Sequence, residues 1–252
     1  MTQPAGHGLL VGKRVLITAA AGTGIGFATA RRCIEEGATV FMSDIHERRL
    51  RESVEKLALP ADAARPCDVT READVRALVA AALATLGGID ILVNNAGLGG
   101  SASVIDMTDE QWSRVLDVSL TSVFRMTRAV LPHLYSQKSG AIVNNASVLG
   151  WRAQPLQAHY AAAKAGVMAF TRCAALEAAE YGVRINAVAP SIAMHEFLNR
   201  VTRPDVLADL ERREAFGRSA QTWEIANVII FLASDLASYM TGEIVSVSSQ
   251  RA

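Results

Sequence analysis

Short apolar runs alternate along the chain with longer segments in which apolar residues recur at helical spacing. The runs predict strands, and the segments between them predict helices. The predicted strands span 14–18, 39–44, 64–69, 89–97, 140–147, 183–190 and 242–248, and the predicted helices span 24–37, 47–57, 71–87, 109–115, 119–135, 159–181 and 223–233. Strands that are nearly all apolar and alternate with helices are typical of a parallel sheet covered on both faces. We therefore expect a single doubly wound, Rossmann-type α/β domain over residues 1–252.

The composition allows a large core and gives no sign of a charged macromolecular partner. Half of the 252 residues are hydrophobic, and 25 basic residues balance 25 acidic ones. This balance argues against a nucleic acid or an anionic membrane as partner, and neither a bilayer-spanning run nor a signal-peptide pattern is evident. The odd number and wide spacing of the cysteines predict buried free thiols in a cytoplasmic protein without a metal site; they are Cys33, Cys67 and Cys173.

A glycine-rich loop joins the first predicted strand to the first helix. Glycines at such a junction permit a tight turn and close approach of a pyrophosphate, to which the helix N-terminus offers free N–H groups. They can also serve packing alone. The strand before and the helix after favour a dinucleotide site formed by Gly22, Thr23, Gly24, Ile25 and Gly26.

An acidic residue, Asp44, ends the second predicted strand, eighteen residues beyond Gly26. Its carboxylate could accept hydrogen bonds from both hydroxyls of an adenosine ribose and would repel a 2′-phosphate, which favours NAD(H) over NADP(H). Neighbouring His46, Arg48 and Arg49 keep a phosphate-binding NADP(H) site open, and Asp44 could instead cap the next helix. Further along, the crevice at the strand ends should also involve Asp68, Val69, Asn95, Ala96 and Gly97.

Tyr160 and Lys164, in "YAAAK", lie four residues apart and therefore share one face of the predicted helix. Taken alone, such a pair is most often a surface pair. Ser147 ends the fifth predicted strand thirteen residues earlier.

These features occur in a fixed order: the glycine loop, "NNAG", the serine and "YAAAK". In that order the chain resembles the short-chain dehydrogenase/reductase family along nearly its whole length. The resemblance implies that Ser147 binds the reacting oxygen, Tyr160 is the general acid/base, and Lys164 holds the nicotinamide ribose and lowers the phenol pKa. It also implies a homotetramer, a substrate lid at about 194–216, and cofactor contacts at Pro190 and Ala193.

The three side chains meet a plain chemical need. A free phenol has a pKa near 10, so only about one in a thousand is ionised at pH 7. Lowering that pKa by about 3 units means favouring phenolate by about 4 kcal/mol, for which a lysine ammonium and the charge of NAD⁺ are suitable sources. A serine hydroxyl can stabilise the alkoxide-like oxygen of the transition state.

The chain departs from the family pattern at three places. Thr18 is followed by Ala19 where the family has glycine, and the loop is one residue longer. Ser119 replaces an asparagine that holds a water chain to the lysine; a hydroxyl can still bind water, but with a shorter reach. His195 stands near the place of a threonine and could contact nicotinamide or substrate, or face solvent.

Several phrases, among them "SDIHERRL" and "NNASVLGWRAQ", resemble family members that act in bacterial steroid-ring breakdown. This implies NAD-dependent oxidation of a bulky bicyclic alcohol carried as a CoA thioester. Trp151 could then pack the ring system, while Arg152, Arg200 and Arg203 could meet CoA phosphates or simply be solvated. The alternatives are a 3-oxoacyl-thioester reductase of fatty-acid type, which would prefer NADPH, and a non-catalytic dinucleotide-binding subunit.

Overall fold

The computed structural model describes residues 2–194 and 204–249. Nine strands and eight α-helices are formed within these residues. The strands are β1 (Arg14–Ile17), β2 (Thr39–Asp44), β3 (Ala64–Pro66), β4 (Ile91–Asn94), β5 (Gly140–Asn145), β6 (Val183–Pro190), β7 (Ala193–Met194), β8 (Ala220–Gln221) and β9 (Ile244–Val247). The helices are α1 (Ile25–Glu35), α2 (Glu47–Lys56), α3 (Glu72–Leu86), α4 (Asp109–Leu116), α5 (Ser122–Gln137), α6 (Ala158–Ala179), α7 (Pro204–Arg213) and α8 (Thr222–Ala233).

Seven strands form one parallel sheet in the order β3-β2-β1-β4-β5-β6-β9. The order reverses between β1 and β4, which makes that junction the switch point where ligands bind in doubly wound sheets. The predicted Rossmann-type fold class is therefore confirmed. Every functional segment that follows β1, β4, β5 or β6 emerges at the same carboxyl edge.

Alternation along the strands divides the core into two layers. In β1, Val15 and Ile17 pack with α1, α2 and α8 on one face, whereas Leu16 packs with α3, α5 and α6 on the other. Neighbouring side chains of a strand point to opposite faces, so a strand between two helical layers must be apolar at every position. This explains the continuous apolar runs of the sequence.

Differences from the predicted elements are concentrated at strand ends and in the last third of the chain. The third strand ends at Pro66, earlier than predicted, and the fourth is shorter than predicted at both ends. Helix α7 occupies part of a stretch for which no helix was predicted. Cys33 and Cys67 are buried as predicted, but Cys173 is exposed. That correction follows from its place on α6, whose buried face is formed by other residues, including Val167, Thr171 and Ala174.

No helix among the described residues is both long and apolar enough to cross a membrane. Nor do the described parts of the chain bring three or more potential metal-ligating side chains together.

A buried ion pair fixes the C-terminal end of α1, the helix that begins at the glycine loop. Arg32 contacts Glu36 at 2.8 Å and donates to the backbone carbonyls of Pro4 and Ala5. Glu36 accepts the N–H groups of His7 and Leu9. Desolvation works to raise the pKa of Glu36, but these N–H donors and the Arg32 charge outweigh it and lower that pKa.

We expect Arg32→Leu to lower the free energy of unfolding by about 3 kcal/mol, because it leaves the Glu36 carboxylate buried without its charge partner. Urea denaturation measures the loss. Arg48→Leu is the matched control, since Arg48 forms the same i,i+4 pair with Glu52 on an exposed surface. Equal effects of the two variants would show that the Arg32–Glu36 pair does not stabilise α1.

Candidate active site

Ser147 and Tyr160 meet at the carboxyl edge of the sheet. Ser147 lies two residues beyond the end of β5 and is almost fully buried, and Tyr160 lies in the first turn of α6. The Ser147 side chain lies close enough to Tyr160 to lower the pKa of the phenol, and it also accepts the N–H of Leu149 at 3.2 Å. Strand β5 thus positions the serine, and helix α6 positions the tyrosine beside it.

Lys164 lies one helical turn beyond Tyr160 and is 3% exposed. Its Nζ donates to the backbone carbonyl of Asn145 at 2.6 Å and lies 5.6 Å from the centroid of the Tyr160 ring. A Cβ added to Gly97 would be 3.4 Å from the same Nζ, so the segment after β4 closes over the ammonium group. Desolvation lowers the pKa of Lys164 to about 8.

The phenol of Tyr160 has a raised pKa. Desolvation is the larger cause and outweighs the lowering by the nearby Ser147 hydroxyl. The sequence predicted a lowered phenol pKa through Lys164, but the ammonium donates to a backbone carbonyl and is itself desolvated. The phenol is therefore protonated at neutral pH.

The glycine loop presents open backbone to solvent at its centre. A Cβ added to Gly22 or Gly24 would meet nothing within 4 Å, and Gly24 begins α1 with no side-chain cap and no acidic residue in the first turn. An uncapped helix N-terminus of this kind suits an anion such as a pyrophosphate. Gly26 serves packing, because its added Cβ would lie 2.3 Å from the carbonyl oxygen of Ala19.

The departure from the family pattern at Ala19 has a structural counterpart. Ala19 adopts a φ of +50°, in the left-handed region that favours glycine. The longer loop is held from two sides: Asp44 accepts the N–H of Ala21 at 3.2 Å, and Ser53 accepts that of Gly22 at 3.0 Å. Ser53 was not singled out from sequence, since a helical serine carries no signal for such a contact.

Asp44 is buried at the end of β2, where it accepts the N–H of His46 at 2.9 Å in addition to that of Ala21. His46 is the N-cap residue of α2, so Asp44 stabilises both the loop and the entry into that helix. Desolvation raises the pKa of Asp44, while the Ala21 N–H and the Arg49 charge act in the opposite direction.

The segments after β3 and β4 are also fixed by backbone contacts. Asp68 accepts the N–H and hydroxyl of Thr70, and Val69 beside it is buried. The N–H groups of Asn95 and Ala96 both donate to the Thr18 hydroxyl, at 3.0 and 3.2 Å. The segment after β4 is thereby joined to Thr18, the first residue after β1.

Ser119 lies in a π-helical turn, Asp117–Thr121, between α4 and α5. Its hydroxyl accepts the N–H of Leu98 at 2.9 Å and donates to the carbonyl of the same residue at 3.0 Å. This hydroxyl thus fixes the segment after β4, and its relay role, for which it would also have to bind water, stays a prediction.

The remaining predicted residues lie around this centre or outside the described residues. Trp151 is half exposed on the segment after Ser147, Pro190 ends β6, and Ala193 begins β7. His159 is buried beside Tyr160, with its ring packed against Gly100. His195 lies outside the described residues, as do Arg200, Arg203 and part of the predicted lid.

Stability should depend on pH through Lys164. Its pKa is about 8 in the folded protein and 10.5 in the unfolded chain, so between these values the unfolded chain holds more protons and stability rises with pH. We expect the free energy of unfolding of wild type relative to Lys164→Met to rise by about 2 kcal/mol from pH 8 to pH 10, measured by urea denaturation. Lys56→Met, on the exposed surface of α2, shows whether loss of any lysine charge has this effect. A flat difference for Lys164→Met would contradict the desolvation of its ammonium group.

Comparison with known proteins places this geometry in a family. A sequence profile described as enoyl-(acyl carrier protein) reductase matches residues 19–249. A (5R,7aS)-5-hydroxy-7a-methyl-1-oxo-2,3,5,6,7,7a-hexahydro-1H-indene-carboxyl-CoA reductase from Mycobacterium tuberculosis is 62% identical, over 98% of this chain and 95% of that protein. A 3-oxoacyl-[acyl-carrier-protein] reductase from Thermotoga maritima is 39% identical, over 94% of this chain and 97% of that protein.

A solved structure agrees with the sequence comparison. The crystal structure of a short-chain dehydrogenase from Mycobacterium smegmatis superposes with a TM-score of 0.88 at 57% identity, over 100% of this chain and 98% of that one. Fold, site and relatives agree, as the resemblance predicted: the chain belongs to the short-chain dehydrogenase/reductase family and is an oxidoreductase that binds a nicotinamide dinucleotide.

Proposed function

We propose that the protein interconverts a secondary alcohol and a ketone with NAD(H), using Tyr160 as the acid/base, Ser147 as the oxygen-binding group and Lys164 as the ribose-binding group. The convergence of these three side chains at the carboxyl edge, beside the uncapped start of α1, carries the proposal. The bound nicotinamide supplies a hydride acceptor or donor. The chain itself must bind the dinucleotide, orient the reacting oxygen and move one proton.

The residues present fit a dinucleotide. Open backbone at Gly22 and Gly24 leaves room for the pyrophosphate at the uncapped α1 N-terminus. Asp44 lies close enough to the loop to bond with Ala21, which is where the adenosine ribose of a Rossmann-bound dinucleotide is met by an acid. Asp44 favours NAD(H), because its charge would repel a 2′-phosphate.

The protonation state of Tyr160 determines in which direction it transfers a proton. A phenol with a raised pKa is protonated at neutral pH and can donate to a ketone oxygen as that oxygen gains negative charge. In the oxidative direction the phenolate must form, and the Lys164 ammonium one turn away stabilises it. Ser147 donates to the same substrate oxygen and so lowers the energy of its developing charge.

For the substrate, we propose a bulky bicyclic alcohol or ketone derived from a steroid and carried as a CoA thioester. The name of the M. tuberculosis relative, identical at 62% of positions, supports this class. The half-exposed Trp151 offers an apolar surface for a ring system. The 39% identical T. maritima reductase supports, more weakly, a 3-oxoacyl thioester as the alternative substrate.

We further propose a cytoplasmic homotetramer. Free cysteines suit a reducing compartment. The outward faces of α5 and α6 expose Phe124 and Leu176, the latter at 76%, and apolar exposure on adjacent helices suits contact between subunits.

Tyr160→Phe should reduce kcat by about 10³-fold, because it removes the transferred proton but keeps the ring. NADH formation from hydroxyacyl-CoA and steroid-derived bicyclic alcohols, or its consumption with the matching ketones, measures turnover. Tyr239→Phe is the control, since Tyr239 is fully exposed. Full activity of Tyr160→Phe would exclude the acid/base role. Binding of NADH by wild type without turnover of any substrate would instead favour a non-catalytic dinucleotide-binding subunit.

Asp44→Ser should reduce the preference for NAD⁺ over NADP⁺ by at least about tenfold, because repulsion between charges a few ångströms apart exceeds 1.4 kcal/mol. The ratio of kcat/KM values for the two cofactors measures the preference. Asp62→Ser, on an exposed turn, should leave the ratio unchanged. An unchanged ratio in Asp44→Ser would mean that Asp44 acts only on the loop and α2.

A further inference from the structure

Two asparagine pairs connect the ends of β4 and β5. Asn94 donates to the side chain of Asn144, and Asn145 donates to the side chain of Asn95, both at 2.9 Å. Because neighbouring residues of a strand point to opposite faces, the two pairs lie on opposite sides of the sheet. The same hydrogen bond between two asparagine side chains therefore occurs twice, once on each face of the sheet.

The inner pair, Asn94 and Asn144, is buried against α5 and α6. Asn94 also donates to Thr127 on α5 at 3.2 Å, and Asn144 donates to Thr171 on α6 at 2.9 Å. These bonds attach two helices to the sheet. They contact none of the residues of the dinucleotide loop.

The outer pair, Asn95 and Asn145, joins the lysine to that loop. The Asn145 carbonyl accepts the Lys164 ammonium at 2.6 Å, and its side-chain amide donates to Asn95. Asn95 in turn donates to the carbonyl oxygen of Ala19 at 2.9 Å. One residue is thus bonded to the catalytic lysine through its backbone and, through one partner, to the start of the loop.

The direction of each bond decides what Asn145 contributes. A carbonyl oxygen can only accept, so Asn95 must turn its NH₂ group toward Ala19. The donor from Asn145 fixes Asn95 in that orientation. Little room exists for another arrangement, because a Cβ on Gly26 would already lie 2.5 Å from the Asn95 amide nitrogen and 2.3 Å from the Ala19 oxygen.

The side-chain amide of Asn145 uses only its donor group. Its Oδ1 is buried without a hydrogen-bond partner, an arrangement that costs stability and that an apolar side chain of similar size would avoid. The donor end of the amide is therefore what this position gains from being asparagine.

We propose that Asn145 is a positioning residue for the dinucleotide: it holds Lys164 and, through Asn95, fixes the shape of the loop that receives the pyrophosphate. The inference rests on the proposed function, because it takes the dinucleotide to bind in this loop. In this role the Asn145 side chain needs no contact with the dinucleotide or the substrate.

Asn145→Leu tests the proposal, because it removes the amide donor but keeps the carbonyl that holds Lys164. Affinities for NADH and for ADP, with melting temperatures of the free proteins, are the measurements. ADP has the diphosphate but no nicotinamide ribose, so it reports on the loop alone. We expect both ligands to bind about five- to tenfold more weakly, as for loss of one hydrogen bond, with little change in melting temperature.

Asn144→Leu is the matched control, with the same substitution one residue earlier. It should lower the melting temperature, because it breaks the buried inner pair, and leave both affinities unchanged below that temperature. Asn145→Asp, nearly isosteric but without a donor, turns an oxygen toward Asn95 and should weaken ADP binding at least as much as Asn145→Leu.

Three outcomes would overturn the proposal: wild-type affinity for ADP in both Asn145 variants, weaker NADH binding without weaker ADP binding, or equal affinity losses in Asn144→Leu and Asn145→Leu. If the Asn145→Leu chain does not fold, Asn145→Asp and Asn95→Ala carry the same comparison. Failure of wild type to bind NADH or ADP would be a different result, since it removes the proposed function and the inference with it.

Discussion

A desolvated ammonium group is the constraint on which the site depends. Lys164 lies under the segment after β4, with its Nζ on the carbonyl of Asn145, and desolvation lowers its pKa to about 8. A buried cation is tolerated only where surrounding polar groups replace part of its hydration. The strand ends therefore have to place a carbonyl and a glycine at this position, and these requirements shape the site around the lysine.

That constraint links fold and chemistry through the parallel sheet. Because β1, β4, β5 and β6 end at one edge, contacts can run from one strand end to the next without leaving it. Thr18 holds the segment after β4, Ser119 holds Leu98 from the other side, and Asn95 reaches back to the loop after β1. Polar side chains thus hold the strand ends together by hydrogen bonds, as apolar side chains hold the sheet together by packing.

Burial determines the protonation of the two titratable side chains at the site. Tyr160 has a raised pKa and Lys164 a lowered one, and desolvation is the main cause of both shifts. Each group is thereby moved toward its neutral form, as expected where few opposite charges are present. A phenolate requires additional positive charge at the site, which is why the expected lowering of the phenol pKa is not a property of the chain alone.

The sequence by itself determined the fold class, the glycine loop and the spacing of Tyr160 and Lys164, because periodicity and short motifs record local geometry. It left open whether Asp44 caps α2, and the structure shows that Asp44 bonds to both His46 and Ala21. Only the tertiary structure decided the contacts of Ser119 and Asn145 and the exposure of Cys173. Each of these depends on which groups distant in sequence approach one another, and a hydrogen bond over tens of residues leaves no periodic trace in the chain.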